Sequence, residues 1–233
     1  MALPKLNTPT YELELPSTSK KIKYRPFLVK EQKILMMAQD SEDETEISEA
    51  VGSLVQSCTF GEIDPKTSPM FDIEFLFLKI RGKSVGDKIE LNLICPDDGK
   101  TQVKKTIDLE DVGIHMLEDH TNEIAISDEC KIIFRYPILS DMKGVAVSDI
   151  SSAFSVISSC ISEIHYGDDI YNKNDISKKD IEEFIDSLTG EQFEKVTGFF
   201  QTMPKLRYVV EVTNPETKKS NEIVVEGLQS FLG

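Results

Sequence analysis

Alternating polar and apolar residues predict hairpins at both ends of the first 112 residues. Residues 11–15 and 21–27 alternate on either side of a Ser-Thr-Ser turn. The same signal recurs at 88–95 and 101–109, where a Pro-Asp-Asp-Gly link has turn chemistry at every position. Two antiparallel hairpins are therefore expected, with helical periodicity between them.

The apolar residues between these hairpins recur at helical spacing. Residues 28–39 contain good helix formers, with Ile34, Leu35 and Ala38 on a predicted buried stripe. A second amphipathic helix is predicted to end at Cys58. Both helices should pack one face on a core.

A third helix is predicted to begin at Ser68 and Pro69, which suit the N-cap and the first helical position. It is expected to run to about Arg81 and to stop at Gly82. Because it has almost no polar side, this helix must be buried in the core or in an interface.

The second half of the chain repeats this order. Strands are predicted at 123–126 and 131–136, followed by a helix from about Ser148 that bears Ile150, Phe154, Ile157 and Ile161. Two further helices are expected after the capping pairs Ser177 with Asp180 and Thr189 with Gln192, and a closing hairpin spans about 205–225.

Five short matches in the same order indicate an internal repeat. Their offset drifts from 111 (137 − 26) to 102 (160 − 58) and 119 (215 − 96), so the loops and helices would differ in length. The alternative is chance similarity. The first copy consists of Tyr11–Leu15, Lys23–Phe27, Ser57-Cys58, Leu91–Pro96 and Ile107–Leu109, and the second of Asn122–Ile126, Phe134–Ile138, Ser159-Cys160, Val210–Pro215 and Val225–Leu228.

The repeat predicts an α+β fold of two similar lobes that arose by duplication. Each lobe would hold antiparallel hairpins packed on helices, the first at 1–112 and the second, with an additional helix, at 113–233. Two similar lobes suggest a bracket with two docking surfaces rather than a catalytic cleft.

The composition is that of an ordinary globular protein with an acidic surface. Of 233 residues, 39% are hydrophobic, and 41 acidic against 26 basic residues give a net charge of −15. This charge repels phosphate backbones and anionic membranes, so neither is an expected partner. Residues 1–5 do not resemble a signal peptide and no stretch approaches a membrane span, which indicates synthesis and retention in the cytosol.

No metal or cofactor site is predicted. The segment Gly99-Lys100-Thr101 resembles the end of a phosphate loop, but Ile94 stands where that loop needs glycine. The segment Cys95–Gly99 resembles half of a zinc knuckle, with Asp98 in place of the second cysteine and no partner pair elsewhere. The four scattered cysteines are expected to be reduced, and most of them are expected to be small core residues.

The sequence also lacks a recognisable catalytic signature, so no catalytic residue is assigned. The histidines His115, His120 and His165 form no HExxH pattern and are each expected at the surface. The carboxylate pairs Asp97-Asp98 and Asp168-Asp169 adjoin glycines, where such residues commonly stabilise turns. A triad assembled only in space would not be visible in the sequence.

Five segments together carry a resemblance to a known family. They are Lys23–Lys33, Phe71–Gly86, the hairpin at Cys95-Pro96, Phe199–Leu206 and Glu226–Phe231. They resemble the baseplate hub subunit family of contractile-tailed bacteriophages, and the likeness covers nearly the whole chain, although each motif is weak alone. Some relatives carry a fuller cysteine knuckle, from which this chain departs at Asp98.

This resemblance implies a non-enzymatic structural or assembly subunit of the central hub in the virion tail baseplate, made in the host cytoplasm. Its partners would be other hub proteins, the central spike proteins and the end of the tape-measure protein. Docking could use strand addition at hairpin edges or aromatic anchors. The candidate anchors, which could instead be core residues, are Phe75, Phe77, Phe199 and Phe200.

Three alternative functions remain at this point. A transient chaperone would escort hub proteins and leave before the tail is complete. A hub-associated hydrolase would act on cell-wall glycan. A zinc-dependent nucleic-acid module is disfavoured by the net charge and the incomplete knuckle.

Overall fold

A computed structural model of the chain describes residues 6–41, 43–143 and 150–231. It contains two compact units, the first comprising Met1–His115 with Lys205–Gly233 and the second Met116–Pro204. The sequence-based division at residue 112 placed the closing hairpin in the second lobe, whereas the structure groups it with the first unit. The N-terminal residues 1–5 and the predicted helix start at Ser148 lie outside the described residues.

Helices and small antiparallel sheets together confirm the α+β class. No helix within the described ranges is both long and apolar enough to cross a membrane. The helices are α1 (Val29–Asp40), α2 (Glu44–Cys58), α3 (Met70–Val85), α4 (Ile150–Cys160), α5 (Lys178–Asp186) and α6 (Gly190–Thr202), with 3₁₀ turns at Leu139–Met142, Lys173–Asp175 and Leu228–Phe231. The strands are β1 (Tyr11–Glu14), β2 (Lys21–Tyr24), β3 (Lys88–Ile94), β4 (Gln102–Asp108), β5 (Gly113–His115), β6 (Glu123–Ala125), β7 (Cys130–Phe134), β8 (Ile161–Tyr166), β9 (Asp169–Asn172), β10 (Lys205–Thr213) and β11 (Ser220–Glu226).

The first unit packs its helices with three small antiparallel sheets. Strands β1 and β2 form one hairpin, β3 and β4 form another, and the third sheet has the order β11-β10-β5. The predicted hairpins are confirmed. The apolar helix α3 is buried as predicted, and its fully buried side chains include Ile73, Leu76, Phe77, Leu78 and Ile80.

Two predictions for this unit are wrong in detail. Gly82 does not end α3; a Cβ there would come within 2.6 Å of Asp87 Oδ1, so the glycine serves a close approach, and the helix ends at Gly86 with φ of +109°. Ile34 is exposed because the buried side of α1 is set by Glu31, Leu35 and Ala38, at positions i, i+4 and i+7.

Three hairpins of this unit share one turn geometry. In each, the residue before proline accepts a hydrogen bond from the amide of the residue four positions later, which has positive φ. The donor–acceptor pairs are Ser19 to Leu15 (2.8 Å), Gly99 to Cys95 (2.9 Å) and Lys218 to Asn214 (2.9 Å), with φ of 55°, 68° and 61° at the donors. Because the turn also occurs between β1 and β2, it is not peculiar to the two hairpins that the repeat matches at Pro96 and Pro215.

The second unit is built on a four-stranded antiparallel sheet of order β6-β7-β8-β9. Ser177 and Thr189 cap α5 and α6 through capping boxes with Asp180 and Gln192, as predicted. The hairpin of β8 and β9 was not predicted. Ile161, which was assigned to a helix, begins β8 because α4 ends at the preceding residue and the chain passes directly into the sheet.

Candidate functional site

The candidate aromatic anchors of the first unit differ in accessibility. Phe77 is 0% exposed and lies in the core. Phe75 is partly buried, and Lys79 Nζ lies 5.3 Å from the centroid of its ring. The same ammonium donates hydrogen bonds to the backbone carbonyls of Leu109 and Val112, which hold the Lys79 side chain in place over the Phe75 ring.

The second unit shows the same contrast between its two anchors. Phe199 is 1% exposed and stacks on Phe134 at 4.9 Å between ring centroids. Phe200 is partly buried and meets Phe134 and Phe199 edge-on, at 5.7 and 4.9 Å. Of the four predicted anchors, Phe75 and Phe200 thus keep a part of their surface accessible in the folded units.

The closing hairpin of the first unit has a strand edge that is only partly paired. Strand β5 pairs with β10 only at Lys205–Arg207. From Tyr208 onward this edge of β10 has no strand partner in the described structure, and a groove of about 720 Å³ separates it from residues 105–108 of β4. Such an edge offers backbone donors and acceptors to an added strand.

The second unit also has an exposed edge. All four residues of β9, the last strand of its sheet, are exposed, including Ile170 and Tyr171. Exposed apolar side chains on an edge strand are unusual in a protein that acts alone, because such edges tend to pair with other chains. Sequence analysis missed this edge because it did not predict β8 and β9.

The tips of two hairpins in the first unit are joined through one carboxylate. Asp97, in the turn between β3 and β4, accepts hydrogen bonds from Asn214 Nδ2 at 2.8 Å and from the hydroxyl of Thr217. Its own amide donates to Asn221 Oδ1 at 3.2 Å. These bonds lower the pKa of Asp97 and hold the tip of β3–β4 against the tip of β10–β11.

The residues of the incomplete knuckle have structural tasks. Cys95 is buried, and Asp98 accepts hydrogen bonds from the amides of Lys100 and Thr101 at 3.1 and 3.0 Å. Bonds from Thr101 lower the pKa of Asp98. In the described residues no three His, Cys, Asp or Glu side chains are grouped to hold a metal ion.

A buried ion pair connects β2, α1 and α2 in the first unit. Arg25 Nη2 donates to Glu31 Oε1 at 2.9 Å, and Glu31 Oε2 accepts from the amide of Leu28 at 2.8 Å. Ser57 Oγ donates to Glu31 Oε1 at 3.0 Å, and the amide of Arg25 donates to the carbonyl of Cys58 at 3.0 Å. The carboxylate therefore caps α1 and neutralises the arginine at the same time.

The second unit contains the same arrangement. Arg135 donates to both carboxylate oxygens of Asp141, at 2.6 and 2.9 Å, and the amide of Ile138 donates to Asp141 Oδ2 at 2.9 Å. The amide of Arg135 donates to the carbonyl of Cys160 at 2.8 Å, and Ser159 of the same Ser-Cys pair donates to the carbonyl of Val156 at 2.9 Å. Both units thus join an arginine, an acid three residues after a helix N-cap, and a Ser-Cys pair.

The positions of these two clusters match along the chain. The arginines, the capped residues and the acids are each 110 positions apart (135 − 25, 138 − 28, 141 − 31), and both Ser-Cys pairs lie at a helix end. The sequence repeat aligned Pro26 with Pro137, one position away from this match. Burial raises the pKa of Cys58 and Cys160 to about 11, so neither thiol is poised as a nucleophile.

All four cysteines are buried and free of disulfides, as the sequence predicted. Of the three histidines predicted to lie at the surface, His115 is exposed, whereas His120 and His165 are partly buried. His120 packs against the rings of Tyr136 and Phe199, at 5.7 and 5.3 Å, and its Nδ1 lies 2.9 Å from Thr202 Oγ1. The predicted surface position is therefore wrong for His120, because its ring completes an aromatic cluster.

Glu74 is a buried carboxylate of the first unit whose hydrogen bond comes from a backbone amide and not from a cation. Glu74 on α3 is 8% exposed, and its Oε1 accepts a hydrogen bond from the amide of Leu228 at 3.2 Å. Burial raises the pKa of Glu74 to about 7, although the hydrogen bond opposes this change. Glu74 thereby ties the final 3₁₀ turn to the core helix.

Comparisons with known proteins agree with the resemblance seen in the sequence. The sequence model of a family described as "T4 bacteriophage base plate protein" matches residues 8–233. The chain is also similar to the "Baseplate hub assembly protein gp26" of Enterobacteria phage T4, with 25% identity over 221 residues that cover 95% of this chain and 97% of the relative. No solved structure matches the chain significantly.

Proposed function

Because the chain belongs to the family of T4 bacteriophage base plate proteins, we propose that it is a non-enzymatic structural or assembly subunit of the baseplate central hub. The observation that carries this proposal is the match over residues 8–233, together with the relative named as a hub assembly protein. The protein would act in the virion tail after synthesis in the host cytoplasm. Its net charge of −15 supports protein partners rather than nucleic acid or a membrane surface.

The proposed partners are other hub proteins, the central spike proteins and the tape-measure protein. Two kinds of surface support docking. Strands could be added at the unpaired edge of β10 and at β9, where backbone groups are available. Phe75 and Phe200 could serve as accessible aromatic anchors. Phe77 and Phe199, which are fully buried, would contribute by stabilising the core of their unit.

The chain is further proposed to derive from an internal duplication with halves at 1–112 and 113–233. The matched Arg25 and Arg135 clusters support it. The arginine, the capped residue and the acid recur at a constant spacing of 110 positions, and in both clusters the arginine amide donates to the cysteine carbonyl of a Ser-Cys pair. Duplicated halves need not coincide with folded units. The closing hairpin belongs to the second half by sequence and to the first unit by packing.

A transient assembly chaperone is the second candidate function, favoured by the word "assembly" in the relative's name. Quantitative mass spectrometry of purified phage particles separates the two. A hub subunit is expected at a small fixed ratio to the spike protein. Absence from mature particles, with presence in assembly intermediates, would favour the chaperone, and absence from both would contradict the hub proposal.

A cell-wall hydrolase is the less favoured alternative. Purified protein added to peptidoglycan is expected to leave the turbidity of the suspension unchanged. Clearing of the suspension by the wild-type protein would overturn the non-enzymatic proposal.

A further inference from the structure

Helix α1 presents large apolar side chains to solvent. Its buried side carries Glu31, Leu35 and Ala38, which face the core. The exposed side next to α2 carries Ile34 and Met37 together with Lys30 and Lys33, at positions i, i+3, i+4 and i+7, whereas Val29 and Met36 lie on a different exposed side. The exposed fractions are 67% for Val29, 53% for Ile34, 55% for Met36 and 72% for Met37.

A pocket lies directly beside this side of the helix. It has a volume of about 150 Å³, lies between α1 and α2, and is lined by Ile34, Ala50 and Leu54 with Lys30, Glu31, Ser53 and Ser57. An apolar cavity of roughly this volume accepts a benzene-sized group. Two of the polar residues at its wall, Glu31 and Ser57, are already hydrogen-bonded to each other and to Arg25, and Ile34, Ala50 and Leu54 offer apolar contact to an entering side chain.

The charge on this side of α1 is opposite to that of the whole chain. The exposed charged residues of α1 before Asp40 are Lys30 and Lys33, which are positive, whereas the whole chain has a net charge of −15. Lys30 lies 3.3 Å from Glu31 but is 70% exposed, and Lys33 has no ion-pair partner in the part of the chain that the structure describes. A ligand for this surface would therefore gain from carboxylates placed over Lys30 and Lys33.

We infer that the outer side of α1 and the adjoining pocket form a docking groove for an amphipathic helix of a partner protein. That helix would place an aromatic or leucine anchor in the pocket, cover Met37 with its apolar side, and set acidic residues over the two lysines. A methionine suits such a surface because its flexible side chain adapts to the shape of a bound helix. The groove is distinct from the strand edges and phenylalanines proposed above, and its test does not depend on the baseplate role.

The test uses the purified full chain and designed fluorescent peptides. The probe is an amphipathic helix with leucines on one side, one phenylalanine anchor and flanking glutamates; its matched peptide replaces every glutamate by lysine. Fluorescence anisotropy is expected to show binding of the acidic peptide and at least roughly tenfold weaker binding of the basic one. No binding of the acidic peptide, or equal binding of both, would overturn the inference.

Variants of α1 locate the binding. Ile34→Glu and Met37→Glu are each expected to weaken binding of the acidic peptide by about tenfold or more, since each adds a repelling charge inside the groove. Gln39→Glu adds the same charge to an exposed position of α1 outside the groove and should change binding less than about twofold. Binding that is unaffected by Ile34→Glu and Met37→Glu would overturn the inference.

Sedimentation of the protein without peptide provides the second readout. The wild-type chain is expected to leave the groove uncovered by another copy of itself. A dimer that becomes monomeric on Ile34→Glu would show that a second copy covers α1, and this too would overturn the partner-helix inference.

Discussion

Arg25 and Glu31 form a largely buried ion pair in the first unit, with 2.9 Å between Nη2 and Oε1. Burial raises the pKa of Glu31, but hydrogen bonds from Arg25, the Leu28 amide and Ser57 outweigh it and lower the pKa to about 2. Since the folded pKa lies below the unfolded value of about 4.3, this stabilisation is complete above that pH. It is lost as the pH falls through about 2.

Glu31→Gln is therefore expected to lower the free energy of unfolding by about 3 kcal/mol at neutral pH, because it leaves Arg25 buried without a counter-charge. The variant should also lose part of the wild-type stability change between about pH 4 and pH 2. Urea unfolding followed by circular dichroism over this pH range measures both effects.

The matched control is an exposed ion pair of the same unit. Lys21 and Glu14 lie 3.7 Å apart on the first hairpin, and both are more than half exposed. Glu14→Gln should change the free energy of unfolding by less than about 1 kcal/mol. A Glu31→Gln effect no larger than this would show that the buried cluster contributes little.

Asp141→Asn tests the corresponding cluster of the second unit. The Arg135 side chain is 33% exposed against 12% for Arg25, so water compensates part of the lost contact. The expected loss is about 1–2 kcal/mol, between the values for exposed and buried pairs. Hydrogen exchange should locate the destabilisation in the second unit, at residues 116–143 and 150–204. Protection lost only outside the second unit would contradict the structural match.

The two clusters also show how far sequence reasoning reaches. Arg25, Arg135 and the Ser-Cys pairs could be found as an ordered repeat because each is a local pattern. Their convergence could not be found, since hydrogen bonds between residues 25, 31 and 57 depend on how β2, α1 and α2 pack. The acids Glu31 and Asp141 were missed for this reason, although each stands three residues after its N-cap, which is the available signal.

Predictions from periodicity succeeded where one element had one unmistakable buried side. Helix α3, with its run of apolar residues, and the capped helices α5 and α6 are of this kind. Periodicity failed at Ile34, where adjacent apolar residues fit two faces of α1, and at Ile161, where a helix passes into a strand without a turn. The exposed side of α1 could be identified only from the structure, which shows that Glu31, Leu35 and Ala38 form the side that packs on the core.

Glu74 gives the first unit a pH dependence of opposite sign to that of Glu31. Its folded pKa, raised by burial to about 7, exceeds the unfolded value of about 4.3. The folded state therefore binds the proton more tightly, and the contribution of Glu74 to stability falls as the pH rises from about 4 to about 7.

Glu74→Gln should remove this contribution. The variant is expected to be more stable than the wild type at pH 8, by up to about 3 kcal/mol, and to differ little near pH 4. Thermal unfolding at pH 4, 6 and 8 measures the change, with the exposed Glu216→Gln as control. A difference between Glu74→Gln and the wild type that is the same at all three pH values would contradict a raised pKa in the folded state.

The four phenylalanines can be separated by comparing stability with assembly. Phe77→Ala and Phe199→Ala are expected to lower the free energy of unfolding by about 3–5 kcal/mol, because each leaves a cavity in a fully buried site. Phe75→Ala and Phe200→Ala should lower the free energy of unfolding less, since both side chains are only partly buried.

If Phe75 and Phe200 are anchors, these two variants will fold but fail to restore plaque formation by a phage that lacks this gene. Phe60→Ala, at a residue that is 61% exposed, is the control and should restore it. Full restoration by both Phe75→Ala and Phe200→Ala would assign all four phenylalanines to structural roles and leave docking to the strand edges.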